Sequence, residues 1–325
     1  MNDEKIKLSV TLLSYKHAKY IRQCLDSILA QKVNFRYEII VGDDCSEDGT
    51  EEILLEYKEK YPDIVKPVIN KKNVGASRNS FTLKQLCKGE YIIGAESDDY
   101  WTNDGIFQKQ ADFLDNHQDC IGVGTNYYNV ESDGSNPYIS MLRWQVNKKY
   151  YLKDYLKYGM VIHGNTIMYR NVLPVSGEQY EKLRFTAPTM GDIISRVLLY
   201  DKGYLFCLPD VSYAHRMGNA DKTSFFSTQK NKSVEYSYMY CSITDALEVY
   251  FDGKYDLSEL KANRLGTVLL NLTMGDYKVD TNEFKKLVKT LPRRIQLLSY
   301  ERFLQKGIRA IGHKIGRKLK MYYKI

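Results

Sequence analysis

The chain of 325 residues is 43% apolar and 27% charged, the balance of a soluble globular protein with one large core or two smaller ones. Its net charge of +7 is uneven: Arg293 to Ile325 hold ten basic residues against the single acid Glu301, a net +9, so the remainder stands at −2 and nucleic acid is excluded as a partner of the main body. Six scattered cysteines without a C-x-x-C pair exclude a zinc ribbon, no apolar run approaches the ~20 residues of a membrane span, and the polar start Met1-Asn2-Asp3-Glu4-Lys5 is no signal peptide, so a cytoplasmic body is expected.

In chain order, Lys7 to Ser14 reads as a buried strand. Tyr20 to Gln31 follows as a helix with Ile21, Cys24, Leu25, Ile28 and Leu29 on one face. Tyr37 to Gly42 is a second strand, Asp48 is placed to cap a helix beginning near Thr50, and Val65 to Ile69 is a third strand that Pro67 assigns to an edge. A helix over Ser77 to Leu86, a strand over Glu90 to Ala95, a helix over Asp104 to His117 and a strand over Ile121 to Thr125 complete the alternation. Strands and helices at this spacing predict an α/β fold with a doubly wound, mainly parallel sheet. From Ser132-Asp133-Gly134-Ser135 the rhythm changes to a hairpin, then strands at Asn165–Arg170 and Tyr204–Leu208 flank a helix over Asp192–Tyr200. From about Asn231 the chain reads as helical to its end.

In open α/β sheets ligands bind at the carboxyl ends of the strands. Strand two ends in Gly42-Asp43-Asp44-Cys45-Ser46-Glu47-Asp48-Gly49-Thr50, strand four ends in Glu96-Ser97-Asp98-Asp99-Tyr100-Trp101, and Thr189-Met190-Gly191-Asp192 opens a helix. A single Asp-Asp pair would read as a solvated turn. Two pairs on neighbouring strand ends repel each other and imply a cation. Hard oxygen ligands favour Mg²⁺ or Mn²⁺, which take one or two protein carboxylates and fill the rest of their shell with phosphate and water.

These segments, with Val10 to Tyr15 before them and Asn73-Val74-Gly75-Ala76-Ser77-Arg78-Asn79 between them, resemble glycosyltransferase family 2, inverting enzymes of GT-A fold. Four motifs stand in order and at the family's spacing over roughly residues 6–220. The resemblance implies that Leu13 and Tyr15 flank a nucleobase, that Asp44, with Asp43 as the lesser candidate, accepts a uracil N–H, and that Arg78 lies near the base or diphosphate. It implies that Asp98 and Asp99 form the metal motif, with Asp99 touching the Mn²⁺ or Mg²⁺ directly; Glu96 stands where many members have Asp. Asp192 matches the general base, although a helix N-cap is the plain structural alternative. Tyr213-Ala214-His215-Arg216 departs from the family's Tyr-Arg-x-His order, so His215 or Arg216 inherits the contact to metal or diphosphate, His215 being the metal candidate. His163 and Trp101 read as packing residues.

The expected domains are a catalytic GT-A domain over 1–220, a helical region over 221–298 and a basic amphipathic helix over 299–325. The expected activity is transfer of a sugar from a nucleotide-sugar donor, a UDP-sugar first, to the hydroxyl of a glycan or lipid-linked acceptor in bacterial surface polysaccharide synthesis. The alternative is a catalytically inactive nucleotide-sugar-binding module, against which intact Asp98, Asp99 and Asp192 argue. No Walker A sequence and no G-x-G-x-x-G after a strand is present, which disfavours an NTPase or a dinucleotide oxidoreductase. In the tail, Phe303, Leu304, Ile308, Ile311, Ile315, Leu319 and Tyr322 recur every three or four residues, with Arg302, Lys306, Arg309, Lys314, Arg317, Lys320 and Lys324 beside them. Such a helix lies on an anionic membrane surface, here the inner face of the cell membrane, or packs against protein.

Overall fold

A computed structural model describes residues 5–174, 176–186, 190–217, 233–274 and 280–323, the side chains of 233, 274 and 309–323 excepted. The chain forms two compact units, one made of residues 1–155 and 160–224, the other of 156–159 and 225–325.

The first unit opens with β1 (Leu8–Ser14), α1 (Ile21–Leu29), β2 (Tyr37–Asp43), α2 (Thr50–Lys60), β3 (Val65–Ile69), α3 (Ala76–Leu86) and β4 (Tyr91–Glu96). These strands pair in parallel in the order β3-β2-β1-β4. They are rich in apolar residues because helices cover the sheet: Leu8, Val10, Leu12, Ile39, Val41 and Ile93 are wholly buried, with Ile21, Leu25 and Ile28 of α1 in the same core, while the buried polar pair Ser9 and Glu38 bond each other. The register brings the strand ends level. Leu13 lies opposite Gly42 on one side and Glu96 on the other, so the two carboxylate motifs leave the sheet at the same edge.

Next come β5 (Tyr100–Trp101), α4 (Ile106–Asn116), β6 (Cys120–Val130), β7 (Tyr138–Ile139), β8 (Lys148–Tyr150), α5 (Leu152–Tyr158), β9 (Met168–Arg170), α6 (Glu178–Phe185), α7 (Gly191–Lys202) and β10 (Tyr204–Arg216). The full sheet runs β3-β2-β1-β4-β9-β6-β10-β5, with β7 on β6 and β8 on β10. The predicted doubly wound α/β sheet is present. Beyond β4 it becomes mixed, because β9 inserts antiparallel between β4 and β6. The expected turn at Ser132–Ser135 closes the β6–β7 hairpin.

Two strands outrun their sequence patterns: β6 runs on from Thr125 to Val130 and β10 from Leu208 to Arg216. β10 continues past Leu208 because irregular register between Leu208 and Val211, at Pro209-Asp210, restarts its pairing with β6 and carries it to Arg216. That extension delivers Tyr213, His215 and Arg216 to the motif after β4.

The second unit is helical, as read: α8 (Ser233–Tyr250), α9 (Ser258–Met274), α10 (Thr281–Thr290) and α11 (Arg293–Tyr323). Leu265, Val268, Phe284, Leu287 and Ile295 form its core. Arg302 of α11 is buried and grips Glu259 of α9 with three N–H···O contacts of 2.6–2.9 Å. Leu297, Tyr300, Leu304 and Ile308 on α11 are exposed. Ile311, Ile315, Leu319 and Tyr322 lie outside the described side chains. Among the described residues, no helix is long and apolar enough to cross a membrane.

Candidate active site

The loops after β1 and β2 are stitched together by the acids of the first motif. Asp43 is fully buried; its Oδ1 accepts from Ser46 Oγ (2.5 Å) and its Oδ2 from Ser46 N (3.0 Å), while Ser46 Oγ also accepts from Lys16 N (2.8 Å). Asp48 accepts from Ala18 N and from Thr50 N and Oγ1. Asp44 is buried too: Oδ1 takes Val74 N and Oδ2 takes Gly75 N, each at 2.8 Å, which pins the loop that starts α3. Gly42 is required here, because a Cβ would stand 2.3 Å from Asn79 Oδ1, and Asn79 Nδ2 donates to Gly42 O. Leu13 and Tyr15 are half-buried beside this edge, and Arg78 is exposed on α3 with its guanidinium 5.1 Å from the Phe185 ring.

In the second motif the two aspartates differ. Asp99 is 1% exposed, and both of its carboxylate oxygens are met by protein donors. Its Oδ1 accepts from Arg216 N (2.8 Å); its Oδ2 accepts from Tyr213 Oη (2.8 Å) and lies 3.1 Å from His215 Nδ1, with Asn165 Nδ2 at 3.5 Å. Burial alone would raise its pKa, but the bonds from His215, Arg216 N and Tyr213 win and hold it below the usual range. Asp98 is buried as well, yet its Oδ1 has no hydrogen-bond partner. His17 Nε2 lies 3.7 Å from Asp98 Oδ2, and His17 Nδ1 is fixed by Ser97 Oγ at 2.9 Å. Burial and the charge of Asp99 raise the Asp98 pKa.

Glu96 and Asp192 are exposed to solvent, though protein surrounds part of each carboxyl. Those surroundings, then the charges of Asp98 and Asp99, push the Glu96 carboxyl up; Asp192 adds to the shift, so its charge reaches this edge too. Desolvation raises Asp192 despite Arg196 and Lys84. Met190, not Asp192, occupies the N-cap position of α7; Asp192 lies in its first turn, and Thr189 is outside the described residues.

His215 and Arg216 now separate. The Arg216 guanidinium is turned into the protein: it donates to Asp98 O, Ser132 O and Gln23 Oε1 and lies over the Tyr20 and Tyr100 rings. The His215 ring stays at the site, 4.7 Å centroid to centroid from His163, which burial and His215 push down to about 3. Trp101 is a packing residue, edge-on to Phe107 and Tyr213. His17, Asn165, Tyr213 and Lys84 join the site without a role legible in the sequence; His17 lies in the segment after the first strand and Tyr213 opens the motif of His215.

Among the described residues no three His, Cys, Asp or Glu side chains form a ready metal cage. The donor set nevertheless suits a hard divalent ion that keeps a mostly water and phosphate shell: a buried carboxylate oxygen without a partner on Asp98, an imidazole oriented through its other nitrogen on His215, and mutual repulsion among Glu96, Asp98 and Asp99 to be relieved.

A parallel half with carboxylates at level strand ends, followed by a mixed half that returns a histidine to them, is the GT-A architecture. Residues 9–175 match the model of glycosyl transferase family 2, and the chain belongs to that family. It is 37% identical over 110 residues to an uncharacterized protein of Mycobacterium bovis, covering 34% of this chain and 32% of that protein. It is 34% identical over 122 residues to a poly(ribitol-phosphate) beta-glucosyltransferase of Bacillus spizizenii, covering 37% and 19%. The match thus spans a third or less of these curated relatives. Staphylococcus aureus TarS 1–349, solved in complex with UDP-GlcNAc, shares the fold with a TM-score of 0.63 over 90% of this chain and 84% of that one, at 18% identity.

Proposed function

We propose that the chain transfers a sugar, with inversion, from a nucleotide-diphosphate donor to an acceptor hydroxyl in the synthesis of a bacterial cell-wall or surface polymer. One observation carries this reading: two acids of different character, Asp98 with an unpartnered buried oxygen and the accessible Asp192, both act by their charge on Glu96 at the end of β4. TarS bound to UDP-GlcNAc and the poly(ribitol-phosphate) relative favour a UDP-sugar and a glycan or lipid-linked polymer as partners.

Leu13 and Tyr15 flank the base; the braced Asp44, with Asp43 beneath it, offers a remaining lone pair to a uracil N–H; and Arg78 reaches the diphosphate. Asp98 and His215 are the residues that would hold Mn²⁺ or Mg²⁺, which supplies charge compensation to the departing diphosphate. Asp99 does not touch the ion in this reading but orients His215. Asp192 takes the proton of the acceptor hydroxyl as it attacks the sugar carbon opposite the leaving group. Holding donor and acceptor in line does the remaining work. Release of free UDP from a panel of UDP-sugars with Mn²⁺ tests the proposal; nucleotide-sugar binding without release, with every acceptor class tried, would leave an inactive binding module. EDTA should abolish release and added Mn²⁺ restore it.

The tail serves this chemistry by docking on anionic lipid, where lipid-linked acceptors reside. Exposed Leu297, Tyr300, Leu304 and Ile308 extend the apolar pattern toward a segment rich in lysine and arginine, while the Arg302–Glu259 pair fixes α11 within its unit. Each basic residue near an anionic surface contributes about 1 kcal/mol.

A further inference from the structure

The first turn of α7 carries Asp192 and has no side-chain cap of its own. Its backbone is held from outside by one face of α3. Ser77, Phe81 and Lys84, at positions i, i+4 and i+7, share that face. Gly191 N donates to Ser77 Oγ (3.2 Å). Lys84 Nζ donates to Ser195 Oγ (3.0 Å), and Ser195 Oγ donates to Gly191 O (3.0 Å). Both polar groups of the residue before Asp192 are thereby tied to α3, one directly and one through Ser195. The approach is close enough that a Cβ on Gly191 would lie 3.1 Å from Ser77 Oγ. Between the two ties, the Arg184 guanidinium covers the Phe81 ring at 3.5 Å and donates to Ser77 O at 2.6 Å.

We propose that Lys84 is a positioning residue for Asp192: through Ser195 it fixes the first turn of α7, and its ammonium keeps the Asp192 carboxylate ionised to receive the acceptor proton. This rests on the reading of Asp192 as the base. The hydrogen bond to Ser195 needs no charge, since a neutral donor of similar length would make it. A cation here is costly: burial, then Arg184, bring the Lys84 ammonium down to about 8, with Cys87 and Asp192 opposing. The charges facing Asp192 are Arg196 on its own helix, Lys84 from α3 and Glu96 from the end of β4. Glu96 repels it; Arg196 is bound through its guanidinium to Ile162 O and Met160 Sδ. Lys84 acts on Asp192 by its charge from the opposing helix and is tied to its turn through Ser195.

The test compares Lys84→Met, Lys84→Arg and Ser195→Ala with wild type, reading donor KM, kcat, the pH profile of kcat and the ¹³C titration of the Asp192 carboxyl. Misplacing the base should lower kcat in Lys84→Met by about ten- to a hundredfold with donor KM unchanged. Loss of the positive neighbour makes the carboxylate harder to form, so the acid limb and the Asp192 titration should move to higher pH. Lys84→Arg should return both, and Ser195→Ala should lower kcat without moving the limb. A Lys84→Met enzyme with wild-type kcat and an unmoved Asp192 titration overturns the proposal, as does one that loses only thermal stability. Full turnover in Asp192→Asn would sink the base reading separately, while the ¹³C titration would still decide whether Lys84 governs that carboxylate.

Discussion

Asp99 and His215, 116 residues apart in the chain, meet at 3.1 Å between Oδ2 and Nδ1. The contact exists because β10 runs past its irregular register to the end of the sheet, where Tyr213 and Arg216 N bind the same carboxylate. A carboxylate so occupied orients the imidazole through Nδ1 and leaves Nε2 as the nitrogen for a ligand. Asp98, with an unpartnered oxygen, is the acid with bonding capacity to spare.

The two neighbours should therefore fail in different ways when changed. Asp98→Asn should abolish transfer with little change in melting temperature, because no protein donor loses its partner at Oδ1. Asp99→Asn should also lose activity but at a cost of about 1–3 kcal/mol in stability, since an amide NH₂ would face donors inside a buried network. Thermal unfolding beside UDP release separates them; equal stability of both variants would contradict the assignment.

Asp192→Asn should cut turnover by ~10²–10⁴-fold with donor affinity nearly intact. Desolvation raises the Asp192 pKa, so turnover should fall as pH drops through a value above the ordinary aspartate range. NMR of the product should show an inverted anomeric centre. A collapse of donor affinity instead would make Asp192 a binding residue.

Glu38 is buried on β2 and accepts from Ser9 Oγ (2.6 Å), Lys88 N (2.8 Å) and Lys66 Nζ (2.6 Å). Burial opposes its charge, yet Lys66, Ser9 and the Lys88 amide hold its pKa below the usual value. The stability it contributes is therefore present above the unfolded-state pKa and lost as pH falls through the lower folded-state value. Glu38→Gln should reduce stability near neutral pH and flatten its decline in acid, measurable by denaturant titration from pH 7 to 3. An unchanged acid dependence would show that other carboxylates govern it.

In the helical unit, Arg302→Ala should destabilise by roughly 1–3 kcal/mol, because the buried guanidinium loses its bonds while Glu259, 30% exposed, can turn to water. Leu304→Ser with Ile308→Ser should leave the fold unchanged and weaken flotation with anionic liposomes. Full liposome binding by that double variant would place the contact elsewhere.

The sequence by itself determined the alternation of β1 to β4 with their helices, because the strands carry apolar runs such as Ile39 to Val41 and Tyr91 to Ile93 between turn and helix signals. It also marked the acids at the strand ends, since a polar cluster straight after an apolar run can only lie at a sheet edge. Which acid is free to bind was not legible. Asp98 and Asp99 are chemically identical neighbours, and only a strand more than 110 residues later, delivered by a register irregularity, occupies one and spares the other. The same holds for Lys84, which reads as one more lysine on a polar helix until α7 is laid against it, 111 residues on. Local pattern fixes where a side chain leaves its own strand or helix; what surrounds it there, and so its charge and its partners, is set by the elements folded against it.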